Sequence, residues 1–180
     1  PRTCKDLQTV VPSLPIILIV AGTRPECVKV VPLIRALRRA GTLHPFVVNS
    51  GQHRDGVRDV LRGFGIAADF ELCSLPASAC MRARSDRLRG HLRAVLGTLA
   101  PAGIVVQGDT LTAYAGARAG REAGVPVIHL EAGLRVDSVT DPFPEEWFRR
   151  RIARLATLHF APSVSAVENL LREGVAPASI

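Results

Sequence analysis

Short apolar runs alternate along this 180-residue chain with longer stretches of helical periodicity, and that alternation restricts the fold more than any other feature. Residues 16–21, 44–49, 70–73, 104–107, 125–130 and 158–161 read as strands. Between them, residues 25–39, 55–62, 87–99, 110–123, 144–156 and 164–172 read as helices, with 76–80 weakly patterned. A strand apolar on both faces must be covered on both, and helices returning between successive strands achieve this with a parallel sheet. The expected fold class is α/β, a Rossmann-like doubly wound parallel sheet. It takes up residues 16–180 as one domain, with residues 1–15 as an N-terminal extension.

The chain begins at Pro1 without a methionine and stops at Ile180 a few residues past the last helical pattern, so it reads as a fragment. Its longest apolar run, residues 14–21, falls far short of the ~20 residues that span a bilayer. No basic segment with an apolar stretch and cleavage site precedes that run. A soluble, cytoplasmic protein with no membrane partner is expected. The formal net charge of +7 rests on 21 arginines against two lysines. That balance would suit nucleic acid, an anionic surface or a phosphorylated substrate. Aromatics are only 4% and the arginines are scattered, which argues against nucleic acid; the five between Arg82 and Arg93 read as the solvated face of a helix. Cys4, Cys27, Cys73 and Cys80 show no C-x-x-C spacing, so no metal site is expected and free thiols are the simpler reading.

In open parallel sheets ligands bind beyond the carboxyl ends of the strands. The residues standing there are "GTRPE" after the first strand, "SGQHR" after the second, "GDT" after Gln107 and "EAGLR" after Leu130. Thr23 and Glu26 have the spacing of a capping box, and a helix start with Arg24 and Lys29 nearby could attract an anion. The plainer alternative is a capped helix with a Glu26–Lys29 surface pair. Without a G-x-G-x-x-G pattern, a nicotinamide or flavin dinucleotide is not supported. Asp109 is either an N-cap or a carboxylate in the crevice. Glu131 ends an apolar strand, where a carboxylate needs a partner or a task, and Arg135 is the natural counter-ion in a purely structural reading. His129 reads as a core histidine. Pro144, Glu145 and Glu146 suit a helix start, and Glu145 and Arg149 fall on one helical face.

Taken in order, "GTRPECVKVVPLI", "GQHRD", "QGDTLTAYAGA", "HLEAGLR" and "PFPEEWFRR" resemble the non-hydrolysing UDP-N-acetylglucosamine 2-epimerases. The resemblance runs from about Ile16 to the end and implies the N-terminal half of a two-domain, GT-B-like architecture, with the C-terminal domain absent. It implies UDP-N-acetylglucosamine as substrate, interconversion with UDP-N-acetylmannosamine for surface-polysaccharide synthesis, no metal or redox cofactor, and a homodimer when full length. By the same resemblance Asp109, Glu131 and Glu145 match the acids needed for turnover, and Arg24, Lys29 and Arg149 match residues supporting substrate or phosphate binding. Gln52 matches the glutamine through which many bacterial members bind a second nucleotide sugar as activator. The chain departs from the family's PEE-x-N-R pattern at Phe148, which stands where the family has Asn, and a further family arginine has no counterpart around Ser78. Two other readings stay open: half of a GT-B-like glycosyltransferase, and a non-catalytic remnant or interaction domain that kept the fold.

Overall fold

A computed structural model of the chain describes residues 13–73, 76, 78–136 and 143–180. Most of the expected N-terminal extension, with Cys4, lies outside these residues. Six strands form one sheet: β1 (Ile16–Ala21), β2 (His44–Asn49), β3 (Phe70–Glu71), β4 (Gly103–Gln107), β5 (Val127–Leu130) and β6 (Leu158–Phe160). All pairings are parallel and the spatial order is β3-β2-β1-β4-β5-β6. The expected doubly wound sheet is therefore present.

Both faces of the sheet are covered, as the continuous apolar runs require. Leu18 and Val20 of β1 share one face with Phe46, Val48, Ile104 and Val106. The helices α3 (Met81–Leu99), α4 (Leu111–Glu122) and α5 (Glu145–Leu155) pack over it. Ile17, Ile19 and Ala21 share the other face with Val47 and Val105, beneath α1 (Arg24–Ala40) and α2 (Arg54–Gly63). A last helix, α6 (Val164–Arg172), packs through Leu170 near Ala132 and Ala153. The small residues of "TAYAGARAG" let α4 lie close against the sheet. A Cβ on Gly116 would come within 2.8 Å of Val106, and one on Gly120 within 2.6 Å of Ile104.

The largest boundary difference is at α3, which starts at Met81 rather than near Arg87. Its first two turns carry no apolar periodicity because ion pairs tie them down. Asp86 meets Arg82 along the helix and Arg118 of α4 at 3.1 Å, and Arg89 meets Glu122 at 2.6 Å. Part of the Arg82–Arg93 cluster is thus spent on helix–helix pairing. Among the described residues no helix is long and apolar enough to cross a membrane.

The chain leaves β1 toward β2 and β3 in its first half and toward β4, β5 and β6 in its second. At this reversal the turns after β1 and β4 diverge and leave a crevice beyond the strand ends. The motifs singled out in the sequence converge there.

Candidate functional site

The first wall of the crevice is the turn from β1 into α1. Thr23 caps the helix and Glu26 completes the capping box, as the spacing suggested. Glu26 is nevertheless no surface residue. It is 1% exposed, and its carboxylate accepts hydrogen bonds from Gly22 N–H (2.8 Å), Thr23 N–H (2.7 Å), the Thr23 hydroxyl (2.9 Å) and the Thr110 hydroxyl. Burial pushes its pKa up against the opposing pull of those four donors. The Glu26–Lys29 surface pair is therefore not formed. Cys27, next along the helix, is also buried, and burial with the adjacent Glu26 pushes its thiol up to about 11.

Lys29 reaches the opposite wall. Its ammonium lies 2.6–2.7 Å from both carboxylate oxygens of Glu131 at the end of β5. The structural alternative, a Glu131–Arg135 pair, is not formed: Arg135 instead forks onto Glu173 of the α6 end, with two contacts of 2.7 Å. The reason is backbone direction. Glu131 adopts φ +63°, a left-handed conformation costing an L residue roughly 1–2 kcal/mol, and it presents the carboxylate to the crevice. Gln107 Nε2 at the end of β4 donates to the same carboxylate. Close backbone approach at Gly133 is realised against the chain itself, since a Cβ there would lie 2.2 Å from Ala166 O.

The turn after β4 holds Asp109. It is not the N-cap of α4; Thr110 is, accepting from Ala113 N–H at 3.1 Å. Asp109 pairs instead with Arg149 of α5 at 2.5 Å. Arg149 also reaches Glu146 at 3.1 Å, so its expected partner along the helix, Glu145, is not the one it uses. Burial opposes the charge of Arg149, but Asp109 and Glu146 more than offset this and its pKa is raised. Phe148, in place of the family's Asn, is 2% exposed and stacks on Tyr114 with centroids 5.1 Å apart. This anchors α5 without disturbing the Arg149–Asp109 contact.

An open cavity of about 600 Å³ lies between these walls. Lys29, Gln52, Asp109, Glu131 and Glu145 line it, so the structure brings together five of the seven residues singled out from sequence. Arg149 stands behind Asp109 rather than on the surface of the cavity. Arg24 stands apart: it is exposed, and its stem lies against Gly56 of α2. Gln52 is held by the Thr112 hydroxyl, which donates to its side-chain oxygen at 2.8 Å. Glu145 has no ion pair among the described residues, and they contain no cluster of acids, histidines and cysteines able to hold a metal ion.

Sequence reasoning missed Arg84 and Gln107, which line the cavity, and Glu146 behind it. Glu146 is fully buried and meets Arg149 and Arg150, at 3.1 and 2.8 Å, with Arg135 at 3.9 Å. The second acid of "PEE" was a signal for it; what it lacked was the helix phase. His129 fulfils its core reading, with Nε2 2.8 Å from Gly108 O. It thereby braces the turn that carries Asp109.

A sequence model of the family described as UDP-N-acetylglucosamine 2-epimerase matches residues 35–180. The chain belongs to this family. It is 38% identical over 159 residues to the UDP-N-acetylglucosamine 2-epimerase of Yersinia pestis, covering 88% of this chain and 42% of that protein. To the Escherichia coli K12 enzyme it is 36% identical over 164 residues, 91% of this chain and 44% of the relative. Among solved structures, the S. aureus MnaA–UDP complex superposes with a TM-score of 0.88 at 37% identity, over 92% of this chain and 44% of that one. The Neisseria meningitidis UDP-GlcNAc 2-epimerase bound to UDP-GlcNAc gives 0.87 at 35%, over 91% and 44%. Acinetobacter baumannii MurG, at 15% identity and a TM-score of 0.53, shares the fold alone. The chain thus spans less than half the length of these relatives, corresponding to their N-terminal half.

Proposed function

We propose that this epimerase-family chain supplies one wall of an active site that interconverts UDP-N-acetylglucosamine and UDP-N-acetylmannosamine. The observation that carries the reading is the meeting of Asp109, Glu131 and Glu145 around one cavity, with Lys29 held against Glu131 at 2.6 Å. The C2 proton of the sugar is not next to a carbonyl and is weakly acidic, so inversion by simple proton exchange is slow. Elimination avoids the difficulty. A base removes the C2 proton, the C1–O bond to UDP breaks, and a 2-acetamidoglucal and UDP result. Re-addition forms the C1–O bond again while an acid returns a proton to the other face of C2.

The cavity has the groups for these steps. Carboxylates on its walls can take and return protons near C2. Lys29 bears positive charge beside them and can favour the departing diphosphate. Arg149 keeps Asp109 oriented from behind. Arg24, exposed beside α2, is available to a diphosphate only at the rim. Gln52 faces the same space, so a second nucleotide sugar bound through it would lie against the first. A homodimer and a cytoplasmic location belong to the same reading.

The fold's relatives have about twice this length, and we expect the second wall to carry much of the UDP contact. Positioning contributes roughly 7–11 kcal/mol to catalysis, most of which half a cleft forgoes. The test is deuterium incorporation at C2 of UDP-N-acetylglucosamine in heavy water, followed by NMR. We expect none from this chain alone and incorporation when the complementary C-terminal half is added. Incorporation by the chain alone at the rate of the mixture would show that one domain holds the site. A mixture of two folded halves that exchanges nothing would overturn the epimerase reading.

A further inference from the structure

In doubly wound domains of this strand order, the turn after β1 and the start of the following helix hold the pyrophosphate of a dinucleotide. Here two backbone donors of that turn, together with the Thr23 hydroxyl, are filled from within. Glu26 Oε2 accepts Gly22 N–H at 2.8 Å, Thr23 N–H at 2.7 Å and the Thr23 hydroxyl at 2.9 Å. Its other oxygen accepts the Thr110 hydroxyl from the start of α4. A carboxylate and a phosphate offer convergent N–H groups the same thing, a negative oxygen at hydrogen-bond distance. With 1% exposure, Glu26 occupies that position fully.

The turn is also closed by packing. A Cβ on Gly22 would come 2.0 Å from Thr112 Oγ1 and 2.3 Å from Ser50 Oγ, two hydroxyls that hydrogen-bond each other at 2.8 Å. A phosphate entering here would have to displace a buried carboxylate or sit against it, and two negative groups in one low-dielectric site repel. We propose that Glu26 is a specificity-determining residue: its internal carboxylate fills the anion cradle of the first strand–helix turn and excludes phosphate from it. An anionic ligand in the cavity then meets Lys29 and Arg84 instead, and a dinucleotide cannot take its usual seat on this fold. The inference rests on the turn alone and is independent of the reaction proposed above.

Inorganic pyrophosphate titrated into the ¹⁵N-labelled chain tests it, with the Gly22 and Thr23 amide resonances as the readout. In the native chain those two amides should not move. In Glu26→Ala they should move saturably, with an affinity at least about tenfold above the native chain. Glu26→Gln, whose side-chain oxygen can still accept both N–H groups, should behave as the native chain does. Glu26→Ser is a second opening variant should alanine compromise the fold, which amide dispersion reports. Saturable movement of both amides in the native chain would overturn the proposal, and so would an unresponsive turn in a folded opening variant. If neither opening variant folds, the native titration decides by itself.

Discussion

Glu145 and Glu146 are consecutive residues in the first turn of α5 and have opposite surroundings. Glu145 lines the cavity and has no ion pair among the described residues. Glu146 is fully buried behind the cavity among Arg135, Arg149 and Arg150. A step of about 100° around the helix is the whole difference. It gives one carboxylate access to a ligand and makes the other the anchor of Arg149, which in turn holds Asp109. The inner layer builds the geometry and the outer layer does the chemistry proposed for it. Burial, more than residue type, assigns the two jobs.

The sharpest way to break this comparison is Glu146→Ala. Removing the acid takes away the contacts of Arg149 and Arg150 at 3.1 and 2.8 Å while each keeps a second acid, so the chain should lose about 3 kcal/mol, measured by denaturant unfolding. A loss below ~1 kcal/mol would erase the distinction between the two layers.

His129 gives the inner layer a pH signature. Burial, opposed by its contact with Gly108 O, pushes its pKa down from 6.5 to about 4. The folded state therefore keeps His129 neutral where the unfolded chain takes up a proton. Stability from this residue is complete above pH 6.5 and is lost as pH falls toward 4, by roughly 3 kcal/mol in total. Glu26 acts in the opposite sense: its raised pKa means that deprotonating it costs stability as pH rises above its ordinary 4.5. Thermal melts of the native chain and of His129→Gln across this range should differ in slope between pH 6.5 and 4. Parallel curves would remove His129 from the account.

The outer layer should respond least in stability. Glu131→Gln and Glu145→Gln should each change the unfolding free energy by no more than about 1 kcal/mol, since both acids are partly solvated. With the complementary C-terminal half added, each should still lower the proposed C2 exchange by about a hundredfold or more. Near-native turnover in either variant would take that acid out of the proposed chemistry. A stability loss of several kcal/mol in Glu131→Gln would move Glu131 into the inner layer.

Much of this was legible before the structure. The apolar runs around Leu18, Val47 and Val105 could belong only to strands covered on both faces, and the motifs at their ends had to meet at one edge of the sheet. Pairing was less legible. Arg135 is four residues from Glu131 and reads as its partner, yet the left-handed backbone at Glu131 sends the carboxylate to Lys29, 102 residues away in sequence. The start of α3 was missed because ion pairs to α4, not an apolar stripe, hold its first turns. Thr110 rather than Asp109 caps α4, a difference of one residue that frees Asp109 for Arg149.

Local sequence thus determined the strand–helix alternation, the parallel sheet and the set of acids brought to its carboxyl edge. Periodicity and turn chemistry act over a few residues, and those residues are adjacent in the chain. Tertiary structure alone decided which acids are buried, which cation each one meets, and that Thr110 closes over the capping carboxylate of Glu26. Those outcomes depend on the helix phase and on strand order. Both bring together groups far apart in sequence, whose charges and donors must then be satisfied within a few ångströms.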